Sequence, residues 1–145
     1  MDVNKTIRTA LEETLDKMAF MYFEEPEDEE VLLDQFDFIT RISFKGVING
    51  RLHLFFKRNS AEVIARNLVG IRDNDELFDG TLEDAICEFT NIVMGRTMTS
   101  LDPANRFDME VPIIVKSFEP DPTTSNEVEF IGLLDESPFR LFLNY

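Results

Sequence analysis

The chain changes its hydrophobic rhythm near residue 36, and that change limits the folds open to it. Residues 3–21 repeat apolar side chains every three or four positions (Ile7, Leu11, Leu15, Met18, Met21), the spacing of a helix with one buried face, and Asn4 stands where a cap is expected. From Phe36 the period falls to two. Phe36, Phe38, Thr40, Ile42 and Phe44 share one face of a strand, while Asp37, Ile39, Arg41 and Ser43 take the other. Asn49-Gly50 then signals a hairpin, and Arg51–Lys57 returns with Leu52, Leu54 and Phe56 on one side and His53 and Phe55 on the other.

The helical rhythm comes back twice. Ser60 reads as the N-cap of a helix running to Val69 and closed by Gly70, with Val63, Ile64 and Leu68 as its apolar set. After the polar loop Arg72–Glu76, Thr81 opens a longer helix with Asp84 in the capping-box position, and Asp102-Pro103 stops it. The last third is strand-like over Met109–Val115, Glu127–Leu134 and Phe139–Leu143, with Pro120 and Pro122 in the first gap and Asp135–Pro138 in the second. This order predicts a single α+β domain over residues 1–145, with helices packed on a mainly antiparallel sheet.

Charge and cysteine usage exclude several partners. The 29 acidic and 14 basic side chains give a net charge of −15, which repels phosphate backbones and anionic membrane surfaces, so neither nucleic acid nor membrane is expected. One cysteine, Cys87, cannot form an internal disulfide and suits a reducing cytoplasm. The N-terminus lacks the basic-then-apolar pattern of a secretory leader. The acidic run Glu24–Glu30, broken by Pro26, reads as a surface loop. Asp73, Asp75 and Asp79 lack the glycine and closing glutamate of a calcium loop, so no metal site is expected there. His53, the single histidine, reads as structural, and Cys87 as partly buried and unreactive. The 14 Phe read most simply as core, although Phe36, Phe38, Phe44, Phe55 and Phe56 could instead feed a dimer surface.

Within the long helix one polar stripe stands out. At about 100° per residue, Asp84, Glu88, Asn91 and Gly95 fall within roughly 60° of one another, apart from the apolar face of Leu82, Ala85, Ile86, Phe89, Ile92 and Val93. Taken by spacing alone, a solvated polar face is the commoner meaning of such a stripe. Yet it holds no lysine partner, it places a mediocre helix former mid-helix, and it ends in a glycine that weakens the helix. A carboxamide offers both a donor and an acceptor, which suits it to holding a water, and a glycine lets another backbone come close.

Asp84-x-x-x-Glu88-x-x-Asn91, followed by Pro112, resembles the signature of the CheC/CheX family of chemotaxis phosphatases. The hairpin through Gly50–Phe56, the Ser60–Gly70 helix, Glu88–Gly95 and Val111–Val115 follow in family-like order, and the resemblance spans about residue 7 to the end. Pro112 comes slightly earlier than in the family pattern, and Gly95-Arg96 stands where Gly-Asn is common. One good copy of the motif favours the CheX-like branch. The echo Thr9-x-x-x-Glu13-x-x-Asp16 lacks the amide.

The resemblance implies a CheC/CheX-like fold and hydrolysis of the aspartyl phosphate of a CheY-like receiver domain. Asn91 would orient the attacking water, Glu88 would pair with a receiver lysine, and Asp84 and Gly95 would lie at the docked surface. The Mg²⁺ would be the receiver's, so this chain itself would bind no cofactor. The resemblance also implies a homodimer joined through the sheets. A non-catalytic module that binds a receiver or another signalling protein through the same stripe remains the alternative.

Overall fold

The sheet is assembled by a chain that leaves and re-enters it. The computed structural model describes residues 1–26, 35–72 and 74–145. Its elements are α1 (Val3–Thr14), β1 (Phe23–Glu24), β2 (Phe38–Lys45), β3 (Gly50–Phe56), α2 (Arg58–Val69), α3 (Asp79–Leu101), β4 (Asp108–Met109), β5 (Ile113–Val115), β6 (Glu127–Leu134) and β7 (Ser137–Asn144). The strands pair antiparallel in the order β1-β6-β7-β3-β2-β4, and β5 also pairs with β2. The helices pack on one another and on this sheet, as the α+β reading expects.

The two-residue period of β2 and β3 becomes a helix-facing side and an outer side. Phe38, Thr40, Ile42 and Phe44 are buried with Leu52, Leu54 and Phe56 against Ile86, Phe89 and Val93 of α3. An edge-to-face path of rings runs from Phe23 through Phe139 and Phe56 to Phe89, joining β1, β7, β3 and α3. The outer side is covered as well. Phe118 lies edge-on to His53, Phe55 and Phe142, and the Arg140 guanidinium sits over Phe55, Phe118 and Phe142. Phe38, Phe44, Phe55 and Phe56 are thus core residues, not a dimer surface, and only Phe36 of that group is half-exposed.

Several local expectations give way to longer-range contacts. The first helix stops short of residue 21: α1 ends at Thr14, widens into a π-helical turn over Leu15–Ala19, and breaks at Phe20 in the left-handed conformation (φ 54°). Asp2, not Asn4, caps it by accepting from the Lys5 amide at 3.0 Å. Ser60 is not a cap. It lies inside α2, buried, with a hydroxyl that meets no partner among the described residues. The Arg58 amide at the start of α2 instead donates to the Asp37 carboxylate at 2.7 Å, from the residue before β2. Within α2, Ile64 is buried together with Ala61 and Ala65, whereas Val63 points outward.

α3 begins two residues earlier than Thr81, at Asp79, so Asp84 lies beyond the capping-box position. Asn49-Gly50 forms no two-residue turn, because Phe44 already pairs with Gly50 and the loop lies over residues 46–49, beyond the end of β2. Gly50 is needed for a different reason: a Cβ there would lie 1.8 Å from the Asn144 carbonyl oxygen across the β3–β7 pairing. Of the acidic run, Glu24 belongs to β1 and Glu25 pairs with Arg8 on α1, while residues 27–30 lie outside the described residues, as does Asp73 of the loop before α3.

Candidate functional site

α3 is 23 residues long, and its two sides have opposite tasks. Leu82, Ala85, Ile86, Phe89, Val93 and Met94 are buried against the sheet and the other helices. Their burial fixes the rotation of the helix, and the rotation decides what the far side shows. Asp84 and Glu88 stand exposed one turn apart, and Asn91 follows, half-exposed. None of these three side chains forms a hydrogen bond or ion pair within the chain among the described residues. Their donors and acceptors are left to water or to a visitor.

Asp84, Glu88 and Asn91 line one shallow groove of about 450 Å³. Its floor includes Cys87, and its opposite wall is the β4–β5 segment Met109, Glu110, Val111 and Pro112. Asn91 also lines an adjoining recess of about 540 Å³, where it meets Gly95 and Arg96 of its own helix, Glu13 and Lys17 from the α1 side, and Met109. Asn91 therefore sits where the two hollows join. The stripe is together as its spacing predicts, with Gly95 displaced into the second hollow.

Gly95 has no internal reason to be glycine. A Cβ there would meet only the Met109 Cε, at an ordinary 3.5 Å. The helix gives up about 1 kcal/mol of propensity at this position without a tight contact inside the chain. Burial, reinforced by Asp84 and Glu83, pushes the Cys87 thiol up to about 11, which disfavours the thiolate. Glu13, from the degenerate echo in the first helix, does reach this region and pairs with Arg96 at 3.6 Å. Asp16 of the same echo falls in the π-helical turn, where α-helical spacing no longer holds.

His53 plays no part here. It is fully buried on the outer side of the sheet, and neither ring nitrogen has a partner among the described residues. Burial, with Arg41, Arg51 and Arg140 nearby, lowers its pKa to about 4, so it is neutral at physiological pH. Among the described residues no group of three or more His, Cys, Asp or Glu side chains is placed to hold a metal ion. Sequence spacing missed the wall Met109–Val111 and the basic residues Lys17 and Arg96. The advance signals on that side were Pro112 and the strand-like Met109–Val115 segment around it, neither of which tied the wall to the stripe.

The family model described as chemotaxis phosphatase CheX matches residues 38–131, a span that holds β2 through most of β6 and all of the groove. No curated protein matches the chain in sequence. In fold the chain is similar to the chemotaxis protein CheX from Vibrio vulnificus, at a TM-score of 0.79 and 19% identity over 99% of this chain and 96% of that one. It is also similar to a chemotaxis protein CheX from Desulfovibrio desulfuricans, at 0.77 and 16% identity over 99% and 98%. A third similar structure is the CheX of a CheX–CheY–BeF₃–Mg²⁺ complex from Borrelia burgdorferi, at 0.71 and 16% identity over 99% and 97%. The three share three helices packed on an antiparallel sheet with this chain.

Proposed function

We propose that this chain, which belongs to the chemotaxis phosphatase CheX family, hydrolyses the aspartyl phosphate of a CheY-like receiver domain through Glu88 and Asn91. The observation that carries the reading is the groove itself. An exposed carboxylate and a half-exposed carboxamide stand side by side on an uncovered helix, with no partner inside the chain among the described residues. The Borrelia burgdorferi CheX was captured with CheY, BeF₃ and Mg²⁺, which supports a CheY-like receiver as the partner of this chain.

In this scheme the receiver brings its phosphoryl group, its Mg²⁺ and its active-site lysine, and this chain brings position. Glu88 pairs with the lysine and docks α3 over the phosphorylated aspartate. The Asn91 carboxamide holds a water in line with phosphorus. The water oxygen forms the new P–O bond while the acyl-phosphate P–O bond breaks. The aspartate carboxylate leaves, and a water proton is released. Catalysis by positioning suits phosphoryl transfer, whose loose transition state asks for little covalent help. This chain holds no metal in the scheme, and Asp84 and Gly95 lie at the docked surface. The same reading includes a homodimer joined through the sheets, leaving α3 of each protomer open to a receiver; light scattering at twice the chain mass is the expected result.

The test is phosphate release from phosphorylated CheY-type receivers encoded in the same genome, followed at steady state with this chain added. Release well above each receiver's own rate is expected for at least one. Tight binding of a beryllofluoride-loaded receiver without any acceleration would assign the chain to the non-catalytic alternative.

A further inference from the structure

The wall opposite α3 is made by an irregularity at the sheet edge. β2 pairs with β4 at Phe44↔Met109 and with β5 at Arg41↔Ile113. Between these pairs Ile42 and Ser43 of β2 face three residues, Glu110, Val111 and Pro112. One residue is extra, which is the signature of a β-bulge, a device that re-aims side chains beside functional sites. The Glu110 amide still donates to the Ser43 carbonyl at 2.9 Å. Pro112 has no amide to leave unpaired, so it fits where the ladder is interrupted.

The bulge presents one side chain with unusual rigidity. Val111 precedes a proline, which confines its backbone to extended conformations, and its β-branch restricts its single side-chain torsion. It is 81% exposed, the highest value for a large apolar side chain among the described residues, yet it lines the groove that holds Glu88 and Asn91. A lone exposed valine is ordinary on a protein surface. This one is fixed by a bulge and a proline across the groove from the amide proposed to hold the water. The neighbouring wall and helix carry Asp84, Glu88 and Glu110, and a receiver's phosphorylation pocket is itself acidic. An apolar contact is indifferent to that repulsion, and a stiff side chain loses little entropy when it is buried.

We propose that Val111 is the apolar anchor of the docking face, seating against an apolar side chain that borders the phosphorylated carboxylate of the receiver. The inference rests on the receiver reading above. It adds a contact that acts on binding and leaves the chemical step to Asn91.

The experiment compares wild type with Val111→Ser and Val111→Leu in steady-state phosphate release from the phosphorylated receiver that wild type turns over. Val111→Ser is expected to raise KM about tenfold, the value of one buried valine-sized contact, with kcat within twofold and the melting temperature unchanged. Val111→Leu should restore most of the affinity. A KM for Val111→Ser within twofold of wild type overturns the anchor while leaving the phosphatase intact. If wild type turns over no receiver, the phosphatase reading fails on its own, and titration with beryllofluoride-loaded CheY and Mg²⁺ decides the anchor. Weaker binding by Val111→Ser then supports it, and equal affinity or absence of binding overturns it.

Discussion

Thr40 on β2 donates its hydroxyl to Thr90 on α3 across 2.7 Å of core. The direction follows from the second bond: the Thr90 hydroxyl donates to the Ile86 carbonyl one turn back, also at 2.7 Å, so its oxygen is left to accept. Both residues are fully buried. Thr90 is the neighbour of Asn91, so this polar tie sits directly behind the site and helps fix the rotation that turns Asn91 outward.

Replacing Thr40 by Val should remove about 1 kcal/mol of unfolding free energy, the ordinary net value of one buried hydrogen bond. In a double-mutant cycle with Thr90→Val, the coupling should be of similar size, about 1 kcal/mol, because the two hydroxyls share one bond. Denaturant unfolding of the four proteins measures it. Additive losses would mean that the tie contributes nothing.

Gly95→Ala should separate stability from docking. The site has room for a methyl group, so the helix should gain about 0.5–1 kcal/mol. Affinity for a beryllofluoride-loaded receiver should fall several-fold if a partner backbone comes close to this turn. Thermal unfolding and titration on the same sample read both effects. A variant that loses stability, or one that docks as well as wild type, contradicts this account of the glycine.

His53 gives the protein an acid-sensitive term. Its pKa is lowered from 6.5 to about 4 by burial and by the three arginines near it. The unfolded chain therefore binds a proton that the folded chain refuses between those two values. The contribution is fully present above pH 6.5 and is lost as pH falls toward 4, amounting to about 3 kcal/mol by linkage. The difference in unfolding free energy between wild type and His53→Leu should shift by about that amount between pH 7 and pH 4, to the cost of wild type. A difference that does not change with pH would place the histidine in contact with water.

Much of the fold was legible because its signals are local. The spacing of β6 gave its span, Glu127–Leu134, and the alternation of β2 and β3 gave the faces that are buried. Asp102-Pro103 marked the end of α3. The misread positions depend on distant partners. Ser60 resembles a cap only until Asp37 is seen to satisfy the Arg58 amide from 21 residues away. Gly50 resembles a turn glycine until the Asn144 backbone is seen against it. The site divides in the same way. Asp84, Glu88 and Asn91 share a face by helical geometry alone, whereas the wall at Val111 exists because of a one-residue change in strand register, which no local pattern records.

Glu88→Ala should weaken docking more than it slows chemistry. The carboxylate is exposed and makes no ion pair within the chain among the described residues, so its removal should cost the fold less than about 0.5 kcal/mol. Its pairing with a receiver lysine predicts a rise in KM of about tenfold and a smaller dependence of KM on ionic strength. Steady-state kinetics across a salt series would show both. An unchanged salt slope contradicts the pairing.

The central claim is that Asn91 holds the attacking water, and steady-state phosphate release by Asn91→Ala beside wild type tests it most directly. A group that acts only in the transition state should leave KM within about twofold and lower kcat by about a hundredfold or more. The variant should bind the beryllofluoride-loaded receiver as wild type does. A kcat within a few-fold of wild type, or a loss carried entirely by KM, would contradict the account.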